Sequence, residues 1–199
     1  MREEFEARTV GPAREGRRLP GVEGVWVFVL ADMTIFGLLF ASFMVDRHQN
    51  LAIFEESRRA LNLDFGGVNT LVLLTSSMFV VLALEALKLG RPRLPQTFFA
   101  LALTCGLAFM VNKFFEYKEK LDAGISMLTN DFFMYYFVLT GMHLVHVTAG
   151  CVVLAVLRFK SRSEPANGGS LTGYESGATY WHMVDLVWIC LFPLLYLVR

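Results

Sequence analysis

Five long apolar runs constrain the fold of this chain more than any other feature of its sequence. A helix needs roughly 20 apolar residues to cross the hydrocarbon core of a bilayer. The runs lie near 24–45, 68–87, 97–115, 131–157 and 178–198. Glycine and proline fall between them, and 55% of the residues are apolar, more than in an ordinary soluble domain. The pattern predicts an all-α integral membrane bundle of five transmembrane helices.

Charges outside the runs predict how the bundle is oriented. Residues 1–22 form a polar, arginine-containing tail without an apolar core, so we expect no cleavable signal peptide and one membrane domain over 23–199. The tail and the two loops on its side hold 11 Lys and Arg, against 7 opposite, where Lys113, Lys118 and Lys120 are counted as loop residues. The positive-inside rule then predicts a cytoplasmic N-terminus and a C-terminus outside.

Ionisable side chains inside the runs are the first candidate functional residues. Such groups are rare at membrane depth and mark functional or tightly packed sites. Asp32 and Asp185 lie ~12 Å from the cytoplasmic ends of their runs and His146 lies ~16 Å in. Together with Glu85 and His182 they predict a polar layer in the inner half of the bundle. We expect Asp185 to pair with His146, with Asp32 close by.

Glu116 and Asp131 fall at the opposite, outer ends of their runs, where we expect them to be hydrated. Two interpretations of the polar residues stay open. They can serve as hydrogen-bonding glue between helices and between subunits, or they can take part in proton transfer.

The histidines permit a test for a redox centre in this chain. A haem held by two histidines needs ligands at similar depth, but His146 and His182 differ by ~9 Å and His143 lies farther away. The other histidine, His48, is in a loop, and the three cysteines lie singly, without a metal-binding motif. We therefore expect no haem, copper or other metal on this chain, and no catalytic residue.

Several motifs along the chain carry a family resemblance. The stretch from Trp26 to Phe36 is similar to W-x-F-I-x-(S/G)-(E/D)-x-x-x-F, and Asn69 to Ser77 to N-T-x-x-L-L-x-S-S. Glu116-Tyr117 is similar to an E-Y pair, and Thr140 to Val147 to T-G-x-H-x-x-H-V. The last run, Tyr180 to Trp188, matches Y-W-H-x-V-D-x-V-W. From about residue 21 to its end, the chain resembles subunit III of haem-copper oxidases, the cytochrome c oxidase subunit III family.

The resemblance implies a non-redox accessory subunit that docks on the catalytic subunit of a respiratory complex in the bacterial plasma membrane. It implies support for assembly, stability and proton uptake. Haem and copper, or non-haem iron, are expected in the partner catalytic subunit and not in this chain. Six positions carry over as the family's polar residues, with structural or proton-related roles: Asp32, Glu116, His143, His146, His182 and Asp185.

Finer features of the resemblance favour one branch of the family. Many members have seven helices, and this chain lacks the first two, which puts the lipid-filled cleft of the long form in doubt. The five-helix relatives include subunit III of quinol oxidases and the E protein associated with bacterial nitric oxide reductase. Arg18 to Gly21 and Asn130 to Met134 are most similar to the nitric-oxide-reductase branch. The partner is then either subunit I of an oxidase or the large nitric oxide reductase subunit, surrounded by membrane lipid.

Two further functions stay open at this point. A stand-alone proton-linked transporter could use the inner polar layer, although no inverted repeat or broken helix is visible in the sequence. An assembly factor would leave the mature complex after helping to build it. Nothing in the sequence indicates a nucleic-acid partner.

Overall fold

The computed structural model describes residues 21–91, 93–163 and 171–198, and the predicted polar tail 1–22 lies outside this part except for its last two residues. The described residues form six helices: α1 (Glu23–Gln49), α2 (Leu51–Arg59), α3 (Leu63–Lys88), α4 (Leu94–Asp122), α5 (Asp131–Ser163) and α6 (Thr172–Phe192). A π-helical turn, Pro193–Leu197, continues α6.

The prediction of a membrane bundle with five spans is confirmed. Helices α1, α3, α4, α5 and α6 are each long and apolar enough to cross a bilayer. The predicted bounds were too short, most of all for α4, which runs on to Asp122 instead of ending at 115. Lys113, Lys118 and Lys120 are therefore helical, and their assignment to a loop was wrong. The short helix α2 was not predicted, because it is too polar to register as an apolar run.

Four helices form a closed ring, with α3 packed on α4, α4 on α5, α5 on α6, and α6 back on α3. Neighbours around the ring run antiparallel, as short connections between consecutive helices dictate. Helix α1 lies outside the ring against α5 and α6, and α2 contacts α5. The chain therefore has two rims. The N-terminal rim holds the starts of α1, α4 and α6 and the ends of α3 and α5, and the C-terminal rim holds the opposite ends.

The ring closes tightly around Trp181 of α6, which is 1% exposed. A Cβ atom added at Gly106 of α4 would lie 2.9 Å from the indole, and one added at Gly150 of α5 would lie 2.6 Å from it. Since real side chains do not approach so closely, only glycine at these two positions lets α4 and α5 pack against the face of the Trp181 indole. Small residues that let helices approach are a general device of membrane bundles.

Helix α1 is much less enclosed than the ring helices. Its buried residues are Asp32, Phe36 and Phe43, whereas Val27 and Leu30 are each about two-thirds exposed, at 69% and 66%. Exposed apolar side chains on a membrane helix face lipid or another membrane subunit. The single buried stripe of α1 thus carries one carboxylate, Asp32, to the surface of the ring.

Candidate polar sites within the membrane bundle

Asp32 of α1 and His146 of α5 form an ion pair between the outer helix and the ring. His146 Nε2 lies 3.0 Å from Asp32 Oδ1, and His146 Nδ1 donates to the carbonyl oxygen of Met142 at 2.8 Å. The expected Asp185–His146 pair was therefore wrong, because α1 packs beside α5 and presents Asp32 to the histidine first. His146 keeps 18% of its side chain exposed, so the pair lies at the edge of the bundle.

The hydrogen-bond pattern shows what the Asp32–His146 pair can do. A carbonyl only accepts, so Nδ1 carries a proton. The bond between Nε2 and Oδ1 then holds one more proton, on either atom, and both arrangements leave the pair neutral. A neutral pair is far easier to keep in a membrane than a lone charge. Within the described residues the second carboxylate oxygen, Asp32 Oδ2, is buried without a partner.

A second polar group joins α3 and α6, and we name Ser77, His182 and Asp185 the Ser77 triad. Ser77 Oγ lies 2.6 Å from His182 Nδ1 and also within hydrogen-bonding reach of the Asp185 carboxylate. As far as the structure describes the chain, Asp185 Oδ1 has no hydrogen-bond partner and is buried. The i, i+3 spacing did place His182 and Asp185 together, but Ser77 belongs to another helix and no role was predicted for it.

The Ser77 triad borders an open cavity of about 420 Å³ on the N-terminal rim, between α3 and α6. Glu85, Lys88 and Glu175 line this cavity together with His182. Glu85 is exposed, and Lys88 Nζ lies 3.8 Å from Glu175 Oε1. The predicted inner layer is thus divided into two separate sites, one beside α1 and one that opens towards this rim.

His143 of α5 is fully buried and lies apart from both sites. Its ring is 5.2 Å from the indole of Trp188 and 5.5 Å from the ring of Phe109, measured between centroids. Neither ring nitrogen has a hydrogen-bond partner among the described residues. His143 therefore packs here as an aromatic side chain.

The most deeply buried polar group lies in the C-terminal half of the ring, and we name Lys113, Glu116, Tyr136 and Tyr196 the lysine cluster. All four side chains are at most 2% exposed, so the expectation that Glu116 is hydrated was wrong. Asp131 is exposed, as expected. Glu116 is buried because α4 continues beyond it, and because α5 and the C-terminal turn cover it with Tyr136 and Tyr196.

Every polar atom of the lysine cluster is satisfied. Lys113 Nζ donates to Glu116 Oε2 at 2.9 Å, to Tyr196 Oη at 3.1 Å and to Tyr136 Oη at 3.5 Å. Tyr136 donates to Glu116 Oε1 at 2.8 Å, and Tyr196 donates to the same oxygen. The ammonium also lies 5.1 Å from the ring centroid of Trp188, a distance at which the aromatic face attracts a cation. A buried ion pair persists only with this degree of hydrogen bonding.

Basic residues around the lysine cluster fasten the C-terminal rim. Arg58 of α2 donates to the carbonyl oxygen of Tyr196 at 3.1 Å and to Glu55 at 2.6 Å. That second bond lowers the pKa of the Glu55 carboxyl. Lys120 donates to the carbonyl oxygen of Ala60 at 2.6 Å. Arg58 thereby holds the C-terminal turn onto α2, and Lys120 of α4 holds the segment after α2.

The described residues include no group of three or more His, Cys, Asp or Glu side chains placed to hold a metal ion. Both nitrogens of His146 and one nitrogen of His182 already take part in hydrogen bonds. That this chain binds no haem or copper stays a prediction.

A ring of apolar helices with ionisable side chains paired inside it defines a multi-pass membrane protein. Sequence comparison identifies the family within this class of proteins. The family model described as "Cytochrome c oxidase subunit III" matches residues 15–198. The chain belongs to the cytochrome c oxidase subunit III family.

Individual relatives agree with this assignment. The chain is 33% identical to cytochrome c oxidase subunit 3 of Synechocystis over 87% of its own length and 74% of the relative's. It is 31% identical to the subunit of the same name from Thermostichus vulcanus over 88% and 86%. It is 28% identical to cytochrome bo(3) ubiquinol oxidase subunit 3 of Pseudomonas putida over 88% and 84%. Two of these relatives are thus named as subunits of a cytochrome c oxidase and the third as a subunit of a ubiquinol oxidase.

Proposed function

We propose that this protein is a non-redox accessory subunit of a respiratory haem-copper oxidase in the bacterial plasma membrane. The observation that carries the proposal is the family match over residues 15–198. A relative from Aeropyrum pernix, 28% identical over 87% of this chain, is named "Heme-copper oxidase subunit I+III". That name joins the two subunits, and supports catalytic subunit I as the partner here. The N-terminal rim then faces the cytoplasm, in keeping with the distribution of Lys and Arg.

The exposed apolar face of α1 and the Asp32–His146 pair support a role in stabilising the complex and in proton uptake. One proton lies between two atoms of a neutral pair at the edge of the bundle. Moving it between His146 and Asp32 leaves no net charge in the membrane, so the exchange is compatible with a low-dielectric setting. The role of the pair is to hold and pass a proton, without electron transfer.

The nitric-oxide-reductase branch is the finer candidate for the partner. Its support is the similarity of Arg18 to Gly21 and of Asn130 to Met134 to that branch. In that case the large nitric oxide reductase subunit replaces subunit I, and the accessory role stays the same. The names of the relatives above favour the oxidase.

Purification of the tagged chain from its native membranes in a mild detergent tests the proposal. The optical spectrum and mass spectrometry then identify what accompanies it. Haem a or o together with subunit I supports an oxidase, and haem b and c with nitric oxide reductase subunits supports the other branch. A colourless, solitary chain contradicts both, and redirects attention to an assembly factor or a transporter.

Asp32→Asn tests the proton role separately from docking. The asparagine amide can donate to His146 Nε2, so the hydrogen bond is kept while the exchangeable proton is lost. We expect normal amounts of the complex with slower steady-state turnover. Thr34→Val on the exposed side of α1 is the matched control. Unchanged turnover in the Asp32→Asn complex argues for a purely structural pair.

A further inference from the structure

A cavity on the N-terminal rim, between the start of α4 and the end of α5, has two arginines in its lining. It has a volume of about 470 Å³ and is lined by six residues: Gln96, Thr97, Ala100, Arg158, Phe159 and Arg162. No carboxylate is among them. We propose that this cavity binds the phosphate headgroup of an anionic phospholipid.

Two arginines give the cavity its charge. Arg158 and Arg162 are four residues apart on α5, so their guanidinium groups project from one helix face. Both side chains are exposed, and among the described residues neither forms an ion pair with a carboxylate. Guanidinium groups match phosphate oxygens with paired hydrogen bonds. Two of them in one recess form a site for a phosphodiester.

Polar groups of α4 complete the opposite wall. Gln96 and Thr97 lie in the first turn of this 29-residue helix, which has no side-chain cap. The positive end of the helix dipole faces the N-terminal rim and adds to the attraction for an anion. Gln96 Nε2 donates to the carbonyl oxygen of Ser161 at 3.4 Å, which holds the two walls together.

The surroundings indicate a lipid and not a soluble anion. Phe159 lines the cavity with 64% of its surface exposed, and Leu101, one turn deeper than Thr97 on α4, is 40% exposed. These apolar surfaces continue from the phosphate site towards the membrane interior, where acyl chains lie. Basic pockets between transmembrane helices on the cytoplasmic side bind anionic lipid headgroups.

The cavity between α3 and α6, on the same rim, shows the contrast. It is similar in volume, about 420 Å³, but two carboxylates line it and Glu175 pairs with Lys88. Two carboxylates, Glu85 and Glu175, against one ammonium, Lys88, leave this cavity with a net negative charge, so it offers no attraction for a phosphate. The lipid site therefore follows from unbalanced charge in one recess and not from the general basicity of the rim.

Lipid binding to the purified full-length chain in detergent tests the proposal. Native mass spectrometry and thermal shift would be followed on addition of phosphatidylglycerol, of phosphatidylcholine with the same acyl chains, and of inorganic phosphate. We expect one phosphatidylglycerol per chain to bind more tightly than phosphatidylcholine. Arg158→Gln/Arg162→Gln should weaken it by about tenfold or more.

Arg91→Gln/Arg93→Gln is the matched control, because it removes the same charge from the same rim outside the cavity lining. We expect this variant to keep the tight lipid. Equal weakening by both double variants would overturn the proposal in favour of diffuse surface charge. Equal binding of phosphatidylcholine, or displacement of the lipid by millimolar phosphate, would overturn it in favour of an apolar groove or a soluble-anion site.

Discussion

The lysine cluster and the Asp32–His146 pair are both ion pairs inside one apolar bundle, yet they are built differently. In the lysine cluster all four side chains are at most 2% exposed, and three hydrogen bonds reach the carboxylate. The Asp32–His146 pair lies at the edge, with His146 18% exposed and Asp32 Oδ2 unpartnered among the described residues. A closed, satisfied network holds one arrangement, whereas an open pair with a spare oxygen can change its partners.

The two sites also differ in which helices they join. The lysine cluster links α4, α5 and the turn after α6, all within the ring. The Asp32–His146 pair links the ring to α1, the helix with the smallest buried share of its span. We infer that the lysine cluster stabilises the fold, while the Asp32–His146 pair and the Ser77 triad serve function.

Glu116→Gln should give the largest effect. It leaves the buried ammonium of Lys113 without a counter-charge, and breaking a buried pair in this way costs about 3–5 kcal/mol. We expect a large fall in the unfolding temperature in detergent and little folded protein by size-exclusion chromatography. If the variant unfolds at the wild-type temperature, the Lys113–Glu116 pair does not stabilise the ring of helices.

Lys113→Met/Glu116→Gln is the control for that experiment. The double variant removes both charges, and the glutamine oxygen can still accept from Tyr136 or Tyr196. Replacing a whole buried ion pair by neutral groups is often close to neutral in stability. We expect most of the lost stability to return. If the double variant is as unstable as Glu116→Gln, the defect is one of packing and not of unpaired charge.

Tyr196→Phe should have the next largest effect. It removes a hydroxyl that donates to Glu116 and accepts from Lys113 at 3.1 Å, and hydrogen bonds to charged groups contribute about 1.5–3 kcal/mol. Denaturant or thermal unfolding in detergent measures the loss. Tyr180→Phe is the comparison, because Tyr180 donates only to a backbone carbonyl, at 3.2 Å. Equal losses of stability in the two variants would contradict the idea that hydrogen bonds in the lysine cluster contribute more than a bond to a backbone carbonyl.

The sequence predicted the spans much better than it predicted these sites. Apolar length alone identifies five membrane helices, because an unsatisfied backbone cannot remain in hydrocarbon. Which helices are neighbours depends on packing that no single run reveals. The sequence therefore favours Asp185 as the partner of His146, whereas the structure has Asp32 in that position. The i, i+3 spacing of Lys113 and Glu116 was a usable signal. That signal alone does not establish a buried pair, because two charged residues near the end of an apolar run also indicate the end of a span.

Asp32→Leu should have a moderate effect on stability. It leaves His146 Nε2 without its partner, which should lower the free energy of unfolding by about 1 kcal/mol. This is the lower end of the range for an unpaired buried group, because the histidine is partly exposed. Asp32→Asn should lose less, since its amide can replace the bond. The unfolding temperature of the isolated chain measures both. A loss as large as that of Glu116→Gln would erase the distinction between the open pair and the closed cluster.

Ser77→Ala should have the smallest effect. It removes the 2.6 Å contact with His182 Nδ1, and a single side-chain hydrogen bond between helices in a membrane contributes about 0.6 kcal/mol on average. We expect only a small fall in the unfolding temperature. If the Ser77 triad serves proton uptake, the turnover rate of the purified complex should nevertheless fall clearly. Thr75→Val, on the same helix, is the control, because Thr75 is exposed and bonds only its own helix backbone, at 2.8 Å. If the Ser77→Ala complex loses stability but keeps full turnover, the Ser77 triad is a structural element like the lysine cluster. Of the three groups compared, the Asp32–His146 pair would then be the one remaining candidate for proton transfer.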